Sequence, residues 1–228
     1  MDYSRITHLL LDLDGTLLHF DLDIFISRYL ELIKSYFPEY QNKGLISSWI
    51  LEGTSRMLNN EGEVTNRKVF LDYFCGQSGL SREVVWQRFI SFYENDFNRL
   101  ERIINQNPKA VKFLEAAQSA GFSLIIATQP VFPEIAIRKR LKWAGLRHIE
   151  FKMITDISRM KACKPHAIYF SQILEFLNVD PDRCLMVGDD PVNDMASSKV
   201  GIANYFIGVT PEESGNFETL AAYLQLSY

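Results

Sequence analysis

The 228-residue sequence is poor in cysteine, proline and glycine, with 3, 8 and 12 of them. Cys75, Cys163 and Cys184 show no CxxC spacing, which excludes a zinc knuckle and a disulfide framework and makes a reducing cytoplasm the expected compartment. So little proline and glycine excludes a collagen-like or low-complexity chain. No apolar run approaches the ~20 residues that span a bilayer, and the opening MDYSRITHLLLDLDG breaks its apolar stretch with acids and has no small-residue cleavage site. Neither a membrane nor secretion is expected. Basic blocks are missing too: 24 Lys and Arg stand against 28 Asp and Glu, for a net charge of −4. The electrostatic footprint of a nucleic-acid binder is therefore lacking, and nucleic acid is not an expected partner.

What is there is a chain able to fold. Hydrophobic residues make up 47% of it and aromatics 13%, enough apolar surface for one core domain with room for an insertion. The first apolar run, Ile6 to Leu11, is short and Leu-rich and ends in Asp-Leu-Asp-Gly-Thr, the pattern of a buried parallel strand opening into a polar loop. From about Asp21 to Ile104 the period becomes helical through DIFISRYLELIKSYF, GLISSWILEGTSRML, TNRKVFLDYF and SREVVWQRFISFYENDF. Thr65 and Ser81 stand where N-caps belong, and Pro38 and Asn59-Asn60 where helices stop. The aromatics of this stretch (Tyr29, Tyr36, Phe70, Phe74, Trp86, Phe89, Phe92 and Tyr93) recur near helical spacing and read as core before substrate contacts, with a few of them left to line the cleft.

After Pro108 strands and helices alternate. A helix over 108–120 closed by Gly121 leads to a strand over 122–127, a helix over 133–144 closed by Gly145 and a strand over 151–154. A helix over 165–177, a strand over 184–187, a helix near 193–199, a strand over 202–207 and a last helix from 216 complete the beat. This predicts an α/β fold with a doubly wound, mostly parallel sheet covered on both faces. The helical stretch is too long for a plain crossover, so it reads as an inserted α-helical cap. The expected domains are a core of 1–18 with 105–228 and a cap of 19–104.

Open parallel sheets bind ligands beyond the carboxyl ends of their strands. There the sequence places Asp12 and Asp14 after Leu9-Leu10-Leu11, Thr128 after Ile125-Ile126-Ala127, and Gly188-Asp189 after Met186-Val187, with Asp194 five positions on. Lys164 follows the 151–154 strand by a loop. Carboxylates gathered at one edge repel unless a cation sits among them, and oxygen-only ligands select a hard ion. Asp12, Asp14 and Asp189 with waters and a substrate oxygen suit octahedral Mg²⁺; without a DxDxDG loop, calcium fits less well. A lysine and a threonine hydroxyl beside that ion would bind the oxygens of a transferring phosphoryl group. The ensemble reads as a phosphate site.

The sequence resembles the haloacid dehalogenase superfamily, in particular its phosphatases. The first motif of that superfamily, DxDGT after an apolar strand, stands here as Asp12-Leu13-Asp14-Gly15-Thr16. Thr128 matches the second, Lys164-Pro165 the third, and Gly188-Asp189 with Asp194 the fourth, all in family order. Lys161 competes for the third; Lys164 is preferred because Pro165 then opens a helix at its first position. The place of the helical insertion is that of the family's C1-type caps. By this resemblance Asp12 would be the nucleophile and form an aspartyl phosphate, and Asp14 the general acid and then base, its backbone carbonyl also on the metal. Thr128 and Lys164 would hold phosphoryl oxygens, and Asp189 would ligate Mg²⁺ with Asp194 in direct or indirect support. Gln129 departs from the pattern, where Asn is common.

The function so implied is a Mg²⁺-dependent phosphatase acting on a small phosphorylated metabolite. Three other readings share the motifs: a haloacid dehalogenase, which Asp14 argues against; a phosphomutase; and a non-catalytic regulator that binds a phosphorylated ligand. His8, His19, His148 and His166 are dispersed and read as structural or surface. Trp49, Arg56, Lys68 and Arg88 are the cap residues weighed both as specificity determinants and as plain surface groups.

Overall fold

The computed structural model describes residues 3–208 and 216–228, without the side chains of 41–43. Residues 1, 2 and 209–215, which the expected core also spans, lie outside the described residues. Five strands form one sheet: β1 (His8–Leu11), β4 (Ser123–Ile126), β5 (Met153–Ile154), β6 (Cys184–Gly188) and β7 (Ala203–Phe206), in the spatial order β5-β4-β1-β6-β7. All neighbours are parallel, with His8 level with both Ser123 and Cys184. β1 is central, so Leu9, Leu10 and Leu11 are wholly buried, and successive side chains enter opposite layers. Leu9 and Leu11 pack with α5 (Pro108–Ser119), α6 (Glu134–Trp143) and α8 (Phe217–Tyr223) through Phe113, Ile137 and Phe217. Leu10 packs with α7 (Ala167–Leu177) through Tyr169, Phe170 and Ile173. The expected doubly wound α/β layout is what forms.

Between β1 and β4 lie α1 (Leu22–Ile33), α2 (Leu45–Leu58), α3 (Asn66–Ser78) and α4 (Arg82–Glu94), with a 3₁₀ segment over Asp96–Ile103. Thr65 and Ser81 cap α3 and α4 by accepting from the backbone N–H groups of Lys68 and Val84. Asp21 does the same for α1. The apolar stripes of these helices meet in an aromatic cluster in which Phe74, Phe92 and Phe97 have no exposure. That cluster does not stop at the cap: it continues into Ala136 and Trp143 of α6, where the Phe97 and Trp143 rings lie 5.1 Å apart.

Two short strands, β2 (Leu18–His19) and β3 (Asn105–Gln106), pair antiparallel where the chain leaves the sheet and returns. Two-residue strands carry no periodicity, so this ribbon leaves no signal in the sequence. Two helix expectations also shift. The helix placed from Pro165 begins at Ala167 with His166 at its N-cap, so Pro165 precedes the helix and does not open it. The segment near 193–199 is a 3₁₀ run over Met195–Val200.

Candidate active site

The four motifs meet at the carboxyl end of the sheet. Leaving β1, the chain buries Asp12 and turns at Gly15, whose φ of +92° puts it in the left-handed region open to glycine. A Cβ there would lie 2.2 Å from Asp189 Oδ2, so glycine is what lets the first loop close on the fourth. Gly188 makes the same allowance for Asp194, whose Oδ2 is 2.1 Å from where its Cβ would stand. Thr16 finishes the turn and donates its hydroxyl to Asp189 Oδ1 at 2.8 Å.

Lys164 is the hub. Its Nζ donates to Asp12 Oδ1 at 2.6 Å and to Asp194 Oδ1 at 2.5 Å, and the lysine and Asp194 are almost wholly buried. Burial alone would depress a lysine, but Asp12 and Asp194 override it and hold the ammonium charged. The same burial pushes the Asp12 carboxyl up, and Lys164 offsets this only in part against the repulsion of Asp194 and Asp14. Asp189 is pushed up by burial as well, although the Thr16 hydroxyl opposes that. Lys161, the competitor for the third motif, is exposed. What selects Lys164 is thus the burial of its side chain between two carboxylates, not the helix start on which the sequence argument relied.

Gln129, which departs from the family pattern, fixes that lysine. Its side-chain amide donates to the Lys164 carbonyl at 2.9 Å and accepts from the Lys164 backbone N–H at 3.0 Å. Thr128 is buried, and its backbone carbonyl is held by the hydroxyls of Thr155 and Tyr169 at 2.9 Å each. Asp190 accepts from the backbone N–H groups of Val192 and Asn193 and so shapes the loop that carries Asp194.

Carboxylate oxygens of Asp12, Asp189 and Asp194 lie within 4.8 Å of one another, the spacing of a shared cation. The Asp14 side chain stands outside this trio and pairs instead with Arg140 Nη1 at 2.5 Å. Arg140 was not singled out in the sequence. It sits on α6, has no exposure, lies over the Phe132 ring at 4.7 Å, and leaves its Nε and Nη2 without a hydrogen-bond partner. Its only sequence signal is a basic residue on the face where Ile137 and Leu141 are buried. Asp14 Oδ1 is likewise buried without a partner. Four carboxylates therefore face two side-chain cations, and the excess of two negative charges matches one divalent ion. An all-oxygen donor set with that excess fits Mg²⁺.

A sequence model of the haloacid dehalogenase-like hydrolases matches residues 6–200. The chain belongs to this family. As a haloacid dehalogenase-like hydrolase it is 30% identical over 109 residues to a phosphoserine phosphatase of Thermus thermophilus, a match over 46% of this chain and 43% of that protein. It is 23% identical over 186 residues to a pyrophosphatase of Bacillus cereus, over 82% of this chain and 76% of the relative. The first of these relatives is thus matched over less than half its length. Among solved structures, a HAD phosphatase from Thermococcus onnurineus superposes with a TM-score of 0.60 at 21% identity, covering 96% of this chain and 98% of that one. An L-2-haloacid dehalogenase from Xanthobacter autotrophicus gives 0.52 at 18% identity, covering 96% and 86%. At such identities the superpositions establish the fold of the hydrolase, and the chemistry rests on its own residues.

The cap residues weighed in the sequence stand elsewhere. Trp49 is packed in the aromatic cluster, while Arg56, Lys68 and Arg88 pair with Glu52, Asp72 and Glu39. The aromatics read as core include several that do double duty, since Tyr29, Phe70, Trp86, Phe89 and Tyr93 also line the cavity above the acids. No helix among the described residues is long and apolar enough to cross a membrane.

Proposed function

We propose that the chain is a Mg²⁺-dependent phosphatase that hydrolyses a small phosphate ester through an aspartyl phosphate on Asp12. The observation that carries this is the convergence of Asp12, Asp189 and Asp194 around one point with Lys164 bridging two of them. The ion would be held by Asp12, Asp189 and Asp194 with the Asp14 carbonyl, and it would supply charge neutralisation at the phosphoryl oxygens. Lys164 occupies Asp12 Oδ1, which leaves Oδ2 to attack phosphorus. The Oδ2–phosphorus bond forms as the ester phosphorus–oxygen bond breaks, and Asp14, whose partly exposed side chain first takes up a proton from water, delivers that proton to the departing alkoxide. Asp14 then takes a proton from a water that attacks phosphorus, releasing inorganic phosphate and restoring Asp12. Thr128 and Lys164 hold the phosphoryl oxygens meanwhile. The domain reading of a 19–104 cap over a 1–18 and 105–228 core belongs to this proposal: the cap roofs the acids and keeps bulk water from each half-reaction. Free thiols at Cys75, Cys163 and Cys184 support a cytoplasmic setting.

The test is release of inorganic phosphate from p-nitrophenyl phosphate with and without Mg²⁺. Turnover is expected only with the ion, and Asp12→Asn is expected to abolish it while leaving the thermal melt of a folded protein. Full turnover in that variant refutes the nucleophile, and metal-free halide release from a 2-haloacid would favour dehalogenation instead.

A further inference from the structure

We infer that the alcohol side of the ester is an uncharged hydrocarbon, an alkyl chain or aryl group large enough to fill the space between the acids and the cap. The inference rests on the phosphatase reading and names the substrate class of that same site. A cavity of about 580 Å³ runs from Asp12, Thr128 and Lys164 up into the cap helices. At the ~30 Å³ that a water-sized group occupies, it holds roughly fifteen to twenty non-hydrogen atoms. A phosphoryl group uses only about five of these, so about ten or more positions remain for the alcohol.

The lining decides what those positions accept. On the cap side the wall is made of Phe25, Ile26, Leu30, Ile50, Phe70 and Phe89. The polar groups there are few and mostly engaged. Tyr29 and Tyr93 hydrogen-bond each other through their hydroxyls at 2.8 Å, which leaves the Thr54 hydroxyl and the Trp86 indole N–H, both uncharged, as the uncommitted polar groups of the cap that reach the cavity among the described residues. The charged residues of the lining are those of the catalytic cluster and Asp190, itself an acid. Neither cation of the cluster is left for the alcohol: Lys164 serves Asp12, Asp194 and the phosphoryl group, and Arg140 gives one nitrogen to Asp14 while its unpartnered Nε and Nη2 are buried out of a ligand's reach. A carboxylate or second phosphate on the alcohol would lie buried against apolar side chains with no opposite charge, which such groups do not tolerate. A hydrocarbon meets no such penalty.

The mouth of the cavity gives an independent sign. Leu22, Leu51 and Leu58 belong to the lining yet remain 59%, 49% and 37% exposed, so large apolar side chains of the wall stay open to solvent. Exposed apolar side chains that line a cavity suit an apolar ligand, whose binding would cover them. The class inferred here differs from the charged substrates that give the phosphoserine phosphatase and pyrophosphatase relatives their names.

The test separates the cavity from the chemistry. Binding of methyl-, butyl- and octylphosphonate, which cannot be hydrolysed, is measured by tryptophan fluorescence and calorimetry with and without Mg²⁺. Phosphate release from octyl phosphate is compared with that from phosphoserine. Affinity is expected to rise by up to about fourfold for each methylene until the cavity is full, and octyl phosphate to exceed phosphoserine in kcat/KM at least tenfold. Leu51→Asp, at the mouth, is expected to weaken octylphosphonate at least several-fold. Equal binding of methyl- and octylphosphonate, or a preference for phosphoserine, overturns the inference while leaving the phosphatase reading intact. Chain-length-dependent binding with no ester turned over in Mg²⁺ upholds the apolar site and overturns the phosphatase reading.

Discussion

Replacing Arg140 by methionine should separate activity from stability. The guanidinium is wholly buried and makes one ion pair, to Asp14, while two of its donors have no partner. Breaking a buried pair by removing one member ordinarily costs about 3–5 kcal/mol, because the other charge is stranded. Here the Asp14 side chain is 31% exposed, so water can take over part of what the arginine supplied. Each orphaned buried donor, in turn, costs about 1–3 kcal/mol, and both vanish with the guanidinium. Methionine keeps an unbranched apolar stem in the buried site, next to the Phe132 ring over which the guanidinium lies. These opposing amounts nearly cancel, so the stability change should stay within about 2 kcal/mol, a melting shift of under about 8 °C for a chain of this size. Activity should behave differently. With Asp14 no longer fixed, the step it serves loses up to the ~10²–10⁴ that a positioned acid and base contributes, as a fall in kcat with KM changed by less than about threefold. Thermal melts and steady-state phosphate release on the same preparation read both. A variant that melts 15 °C lower with its kcat intact would show Arg140 to be a structural post and refute the positioning role.

Three further outcomes follow from the same contacts. Lys164→Met strands Asp12 and Asp194 against each other in the interior and should cost about 3–5 kcal/mol, read as a melting point lower by roughly 6–20 °C; an unchanged melt would contradict the hub geometry. Thr16→Val removes the hydroxyl that orients Asp189 and should weaken Mg²⁺ binding by calorimetry about 10–100-fold with little loss of stability, whereas unaltered affinity would dismiss that contact as incidental. Glu39, held down to about 2 by two hydrogen bonds from Arg88, favours the folded state in its ionised form. Its contribution is complete above the unfolded value near 4.5 and fades as pH falls from there toward 2, so Glu39→Gln should flatten that part of the acid limb of the stability profile.

The polar residues that gather at the carboxyl edge of the sheet were legible for a simple reason: each follows an apolar run, and a parallel sheet delivers the ends of such runs to one place. Asp12, Asp14, Thr128 and Asp189 could be found without coordinates. The helix start proposed at Pro165 does not mark Lys164, since the helix begins at Ala167; what marks it is burial between Asp12 and Asp194, which local pattern does not encode. Gln129 looked like a mere departure from a motif, yet its amide closes two hydrogen bonds on the backbone of Lys164, a residue 35 positions away.

The sequence by itself determined the strand-helix alternation, the helical insertion, the caps at Thr65 and Ser81 and the order of the acids, because all of these are written in near-neighbour patterns of polarity. Only the tertiary structure decided that Asp14 faces Arg140, that Thr16 steadies Asp189, and that the cap aromatics bound a cavity as well as a core. Arg140 lies 126 positions from its partner, and its meaning comes from being buried beside a carboxylate, a relation between surfaces that no window of sequence contains. A period of 3.6 tells which face of a helix is apolar, but whether that face meets another helix or an open space is settled where the helices pack.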